Sequence, residues 1–114
     1  MHHSNYDTHN ENFDFHIEQL GEFDRSFACF VNDLSERGML DSTLIVVLSE
    51  FGRTPQINAS LGRDHFANAW SATLSGCGIR RGSVYGKTDD DGLIVSEGKI
   101  NAPERFATIF QAVG

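Results

Sequence analysis

The run Thr43-Leu44-Ile45-Val46-Val47-Leu48-Ser49 constrains this chain most. It is apolar, rich in β-branched residues and free of alternation, the pattern of a strand covered on both faces, as in a parallel sheet. Before it, Phe13, Ile17, Leu20, Phe23, Phe27, Phe30, Val31 and Leu34 recur in steps of three and four and define one face of an α-helix. Ser35-Glu36-Arg37-Gly38 then predicts a helix end near Arg37, with Gly38 in the left-handed position that satisfies orphan carbonyls. A helix leading into a buried parallel strand implies a further strand before the helix. Only Met1 to Tyr6 precede it, so that strand is expected to be very short or missing.

A long polar loop follows from Glu50 to about Asn68, and Trp70 to Leu74 reads as a second short strand. Asp89-Asp90-Asp91-Gly92 marks a turn ahead of a weaker strand at Leu93 to Ser96, predicting a small hairpin or edge excursion. A last helix is expected from Pro103, with Phe106, Ile109, Phe110 and Val113 as its stripe. Ala102 stands where a cap would usually precede the proline, which leaves Asn101 as the candidate cap. The elements make one small α/β domain over residues 1–114.

Sixteen acidic against nine basic residues give a net charge of −7, with no basic cluster to neutralise a run of phosphates. Nucleic acid and anionic membranes are therefore poor partners. The apolar run Leu44 to Leu48 is too short to span a bilayer, and the Met1 end has no charged-then-apolar signal. Cys29 and Cys77 lie outside any C-x-x-C spacing and are expected to be free, packed thiols.

Asp7-Thr8-His9 spaces a carboxylate and an imidazole two apart, so on an extended segment both point to one side, where two metal ligands can converge. A solvated Asp and His is the plainer reading; His2 and His3 read as tail residues. Glu50 follows the apolar strand at the edge where parallel α/β sheets bind ligands. Gly52 suits an unusual turn, and Arg53 offers a planar fork for phosphate, sulfate or carboxylate, or else an ion pair with Glu50. Gly62-Arg63-Asp64-His65 repeats that chemistry, Asp64 being either a partner orienting His65 or a turn residue. Asp7, His9, Glu50 and His65 together make a nitrogen and oxygen set without thiolate, suited to a divalent metal, Zn²⁺ or Mn²⁺ first. Such an ion polarises a phosphoryl or sulfuryl oxygen or generates hydroxide, while Arg53 or Arg63 holds the anionic group of a small ester.

The order Y-D-T-H-x-x-N-F, a helix ending in E-R-G, D-S-T-L-I-V-V-L-S-E-F-G-R-T-P, G-R-D-H-F and a late A-P-E-R-F helix resembles the sulfatase-like proteins called domain of unknown function 1501. That family in turn looks like a branch of the alkaline-phosphatase superfamily. The resemblance implies a partial doubly wound, mainly parallel sheet with flanking helices, the C-terminal portion of a metal-dependent hydrolase of phosphate or sulfate esters. By position, Asp7, His9 and His65 resemble the ligands of one superfamily metal and Glu50 the acidic ligand of a second. Phe51 stands where that second site usually has histidine, and Phe51 cannot coordinate. The first aspartate and the nucleophile of the superfamily would lie upstream of Met1, and Ser42, Ser49 and Thr54 offer only proximity to the loop. An exported or periplasmic parent is implied, as is self-association through an exposed sheet edge. The alternative is a non-catalytic remnant, a binding or interaction module that keeps the loop's shape.

Overall fold

The computed structural model describes residues 6–114, so His2 and His3 lie outside the described residues. Its architecture is mixed α/β: two helices and three two-stranded antiparallel sheets. Helix α1, Asn12–Glu36, follows the predicted stripe to within one residue at either end. Gly38 takes φ 67°. Its N–H donates to the Ser35 carbonyl (3.1 Å) and that of Met39 to the Leu34 carbonyl (2.8 Å), a Schellman ending that satisfies two of the helix's last carbonyls.

A single 3₁₀ turn, Leu40–Ser42, leads into β1, Ile45–Val47. β2 (Gly52–Arg53) and β3 (His65–Phe66) pair across the long loop, and β4 is Thr73–Ser75. β5 (Lys87–Thr88) and β6 (Val95–Glu97) form the expected small hairpin around the Asp89 turn, whose carboxylate accepts from the Leu93 and Ile94 amides at 2.7 and 3.1 Å. α2, Ala102–Val113, begins in a full capping box. The Asn101 side chain accepts from the Glu104 amide (2.9 Å), and the Glu104 carboxylate accepts from the Asn101 amide (2.8 Å). Asn101 is thus the cap, with Pro103 in the first turn.

The apolar run does form a strand, but β1 pairs antiparallel with β4, Val46 opposite Leu74, and no pair among the described residues is parallel. Neither helix packs along its length against a sheet or against the other helix. Leu34 is the one buried large hydrophobic side chain among the described residues, and Ile17, on the predicted inner stripe of α1, is 76% exposed. Within that stripe Phe23 and Phe27 stack on one another at 5.3 Å. The radius of gyration, 16.0 Å, exceeds the roughly 13 Å of a compact chain of this length. Periodicity specified each helix and the face it would bury, yet the surface that would cover that face is not among the described residues. Cys29 is accordingly exposed rather than packed, and Cys77 is half-buried.

Candidate metal centre

A polar network joins the long loop to the start of α1. The loop 58–63 lies antiparallel to residues 8–12. Asn10 bridges Leu61, the Glu11 and Asn12 amides donate to the Ser60 and Leu61 carbonyls (3.0 and 3.1 Å), and the Arg63 amide donates to the Thr8 carbonyl (3.2 Å). Gly62 makes this approach possible. It is buried, with no positive φ, and a methyl group on it would land on the His9 carbonyl. Close packing, rather than unusual torsion, demands glycine there. Gly52 follows the same rule, since a side chain would strike the Ala69 carbonyl.

On the other side of the loop, β2 and β3 set Arg53 opposite His65, and the Thr54 amide donates to the Asp64 carbonyl (2.9 Å). The D-x-H segment, the E-F-G-R-T segment and the G-R-D-H segment are thereby pinned together. Asp7, His9 and His65 converge. The separations are Asp7 Oδ1 to His65 Nε2 2.7 Å, Asp7 Oδ1 to His9 Nε2 3.1 Å, and His9 Nε2 to His65 Nε2 3.2 Å. Ligand atoms around a tetrahedral zinc at about 2.0–2.1 Å stand about 3.3 Å apart, so this triangle needs little adjustment to share one ion. All three residues are exposed. Solvent therefore reaches the triangle.

Further layers hold the triangle. Asp64 Oδ1 lies 2.7 Å from His9 Nδ1, the nitrogen pointing away from the triangle. Asn58 donates to that carboxylate oxygen (3.1 Å) and to the His9 carbonyl (2.9 Å), while its own carbonyl accepts from the Ser60 and Gly62 amides, both at 2.9 Å. Arg53 donates from Nη2 to Asp7 Oδ1 (2.6 Å) and the Tyr6 carbonyl (3.1 Å), and from Nη1 to the Arg63 carbonyl (3.1 Å). Phe51 lies 4.1 Å from the His65 ring and walls one side. Below, the buried Thr8 hydroxyl donates to Asn12 Oδ1 (2.7 Å) and sits 3.2 Å from His16 Nε2.

The charges follow from these contacts. The Asp7 carboxyl is lowered to about 2, first by its hydrogen bond to His65 and then by that to Arg53, so at neutral pH it is ionised. Asp64 is lowered by its bonds to His9 and then Asn58. His16 is lowered by burial and by the Arg53 charge, which favours the uncharged ring beneath the site.

A family model described as Protein of unknown function (DUF1501) matches residues 1–114. The chain belongs to that family. No curated protein and no solved structure matches it.

Not every expected site residue of this DUF1501 chain joins the group. Glu50 is exposed, stands outside the Asp7–His9–His65 cluster, and forms no hydrogen bond or ion pair among the described residues, so the expected alternative of a Glu50–Arg53 pair is absent from them. Arg53 pairs with Asp7 instead. Arg63 donates to the Thr54 and Pro55 carbonyls and lies over the Phe13 ring at 5.8 Å, tying α1 to the loop. Asp64 does not contact its neighbour His65 but reaches His9, because successive side chains entering a strand point to opposite sides. Ser42, Ser49 and Thr54 each donate a hydroxyl to a nearby backbone carbonyl, of Met39, Phe51 and Gln56. Asn58, the hub of the outer layer, was not anticipated. Its signal was Asn58-Ala59-Ser60, where an Asn side chain can accept from the amide two residues on.

Proposed function

We propose that Asp7, His9 and His65 bind one divalent cation, Zn²⁺ or Mn²⁺, and that this centre serves a hydrolase of small phosphate or sulfate esters to which the chain contributes ligands. The observation that carries the reading is the ligand triangle, with edges of 2.7, 3.1 and 3.2 Å closed by residues up to 58 positions apart. Its donor set, one carboxylate and two imidazoles reached by solvent, is the kind found in catalytic rather than structural zinc sites. A bound ion would supply Lewis acidity toward an ester oxygen. The chain's own residues do the rest. Arg53 keeps Asp7 ionised and aimed, Asp64 and Asn58 fix His9, and Phe51 packs against His65.

The reading extends to a larger doubly wound, mainly parallel α/β assembly of the alkaline-phosphatase kind, in which the open faces of α1 and α2 are covered. There Glu50, solvent-facing just beyond β1, is the proposed ligand of a second ion, and the guanidinium of Arg53 or Arg63 the proposed contact for the ester's anionic group. The positioned hydroxyls favour a second reading for the chain by itself. Ser42, Ser49 and Thr54 are all engaged with backbone carbonyls, so a non-catalytic metal-binding module fits these residues without a nucleophile.

Calorimetric titration of the chain with Zn²⁺ and with Mn²⁺ separates these readings from a bare scaffold. One site per chain is expected, abolished in His65→Ala. Heat-silent titrations with both ions would sink the metal assignment. Turnover of aryl phosphates or sulfates by the metal-loaded chain would decide for the hydrolase over the module.

A further inference from the structure

We infer that Asp64 is a positioning residue for this centre: its carboxylate selects the tautomer of His9 that leaves Nε2 free to coordinate. The inference rests on the metal reading above and adds a layer to it. A neutral imidazole carries one proton, and the nitrogen without it is the ligand. His9 Nδ1 faces Asp64 Oδ1 at 2.7 Å, while His9 Nε2 faces Asp7 Oδ1 and His65 Nε2 at 3.1 and 3.2 Å. Two carboxylates therefore compete for one ring proton. If the proton sat on Nε2, it would donate into the triangle and block it.

The geometry favours Asp64. Its contact is the shorter of the two, and Asp7 Oδ1 is already shared by His65 at 2.7 Å and Arg53 at 2.6 Å. Asp64 is itself constrained: its amide donates to the Thr54 hydroxyl (3.1 Å), its carbonyl accepts from the Thr54 amide (2.9 Å), and Asn58 holds the same Oδ1 from the far side. Asn58 also donates to the His9 carbonyl, so one side chain registers both partners of the contact. A carboxylate that orients the distal nitrogen of a ligating histidine commonly contributes about 10- to 100-fold in metal affinity. The sequence left Asp64 open between a partner of His65 and a turn residue. The fold gives it a partner across 55 positions, His9.

The test uses the chain with Zn²⁺ alone, in competition with a chromophoric chelator, together with long-range ¹H–¹⁵N correlation of the imidazoles in the metal-free protein. Wild type is expected to show His9 protonated on Nδ1. Asp64→Ala is expected to move that proton to Nε2 and to weaken Zn²⁺ binding about 10- to 100-fold. Asp64→Asn, whose side-chain oxygen can still accept from Nδ1, is expected to keep the tautomer and to lose less affinity. This second variant separates positioning from unfolding, since the main-chain bonds of Asp64 to Thr54 survive in both. Wild-type His9 found as the Nε2–H tautomer, or Asp64→Ala binding Zn²⁺ as tightly as wild type, overturns the inference alone. Absence of Zn²⁺ binding by wild type overturns it together with the metal reading.

Discussion

Residues 6–12 with 51–66 and the two helices are opposite solutions to the problem of holding a shape. The first region buries almost no apolar surface, yet many of its polar groups have partners across the chain: Arg53 reaches Asp7, Asn58 reaches His9, and the Arg63 amide reaches Thr8. Its geometry is closed by directional contacts among three segments and does not depend on a core. The helices are locally well specified, with a Schellman ending on α1 and a capping box on α2, while Ile17, Phe106 and Phe110 are 76%, 58% and 67% exposed. Capping and periodicity fix where a helix runs and which face it would bury, but most helical stability in proteins comes from covering that face. The site should therefore respond to changes in contact geometry, and the helices to changes in local propensity and association.

The largest effect is expected from Gly62→Ala. A methyl group there meets the His9 backbone, so the loop must lift away from residues 8–12 and carry His65 away from Asp7 and His9. Zn²⁺ affinity is predicted to fall by at least about 100-fold, the upper end for loss of a supporting partner, because ligand convergence itself is lost. Far-ultraviolet circular dichroism should change little. An unaltered dissociation constant would mean that the loop is softer than its hydrogen bonds imply.

Acid should open the same region selectively. Asp7 has its carboxyl lowered from 3.8 to about 2 by His65 and Arg53. A carboxyl depressed in the folded state contributes stability that is fully present above its unfolded value and is lost as pH falls through the folded one. The contact should thus hold at pH 4 and above and fail on approach to about 2, with the His65 side-chain resonances following. Arg53→Lys, which replaces a planar fork by a point charge, is expected to raise that midpoint toward 3.8. A midpoint unchanged in the variant would assign the depression to His65 alone.

How much of this was legible beforehand divides along the same line. The stripe beginning at Phe13 and the stop signal near Arg37 gave α1 to within a residue at each end, and the Asp89 turn gave the hairpin, since both depend on local rules. The β-branched run gave a strand but not its partner. Pairing direction is set by what lies beside a strand, and Trp70 to Leu74 held no mark that Thr73–Ser75 would return antiparallel to it. Within the site, Asp7 and His9 do meet at 3.1 Å, but through turns in which the Thr8 and His9 amides donate to the Tyr6 and Asp7 carbonyls rather than along an extended segment. Asp64 stayed open between a partner of His65 and a turn residue, because the intervening residues hide its contact with His9. Glu50 lies just beyond β1 and outside the Asp7–His9–His65 group.

On the helical side, Asn101→Ala removes the half of the α2 capping box in which the side chain accepts from the Glu104 amide, and leaves the backbone amide of that residue to donate to the Glu104 carboxylate. A cost of about 1 kcal/mol in helix stability is expected, visible as fraying of the first turn in amide exchange. Zn²⁺ binding should be indifferent to it. A coupled loss of affinity would show that α2 supports the site, by a route such as the stacking of Arg105 over Trp70 at 5.2 Å.

The smallest change in stability is expected from Ile17→Gln. With Ile17 already 76% exposed, its replacement removes little buried area, and stability should shift by no more than about 0.5 kcal/mol. Were the side chain covered by a second copy of the chain, the same substitution would leave folding alone and shift sedimentation toward the monomer. Surfaces open to such association include the stripe of α1 and the outer edge of the β1–β4 pair, which has no third strand among the described residues. Glutamine carries no charge, so any loss of association reports apolar contact at α1 rather than added repulsion in a chain of net charge −7. Association that survives Ile17→Gln but yields to proline in place of Val46 would move the contact to the sheet edge, where backbone amides rather than side chains are the sticky element.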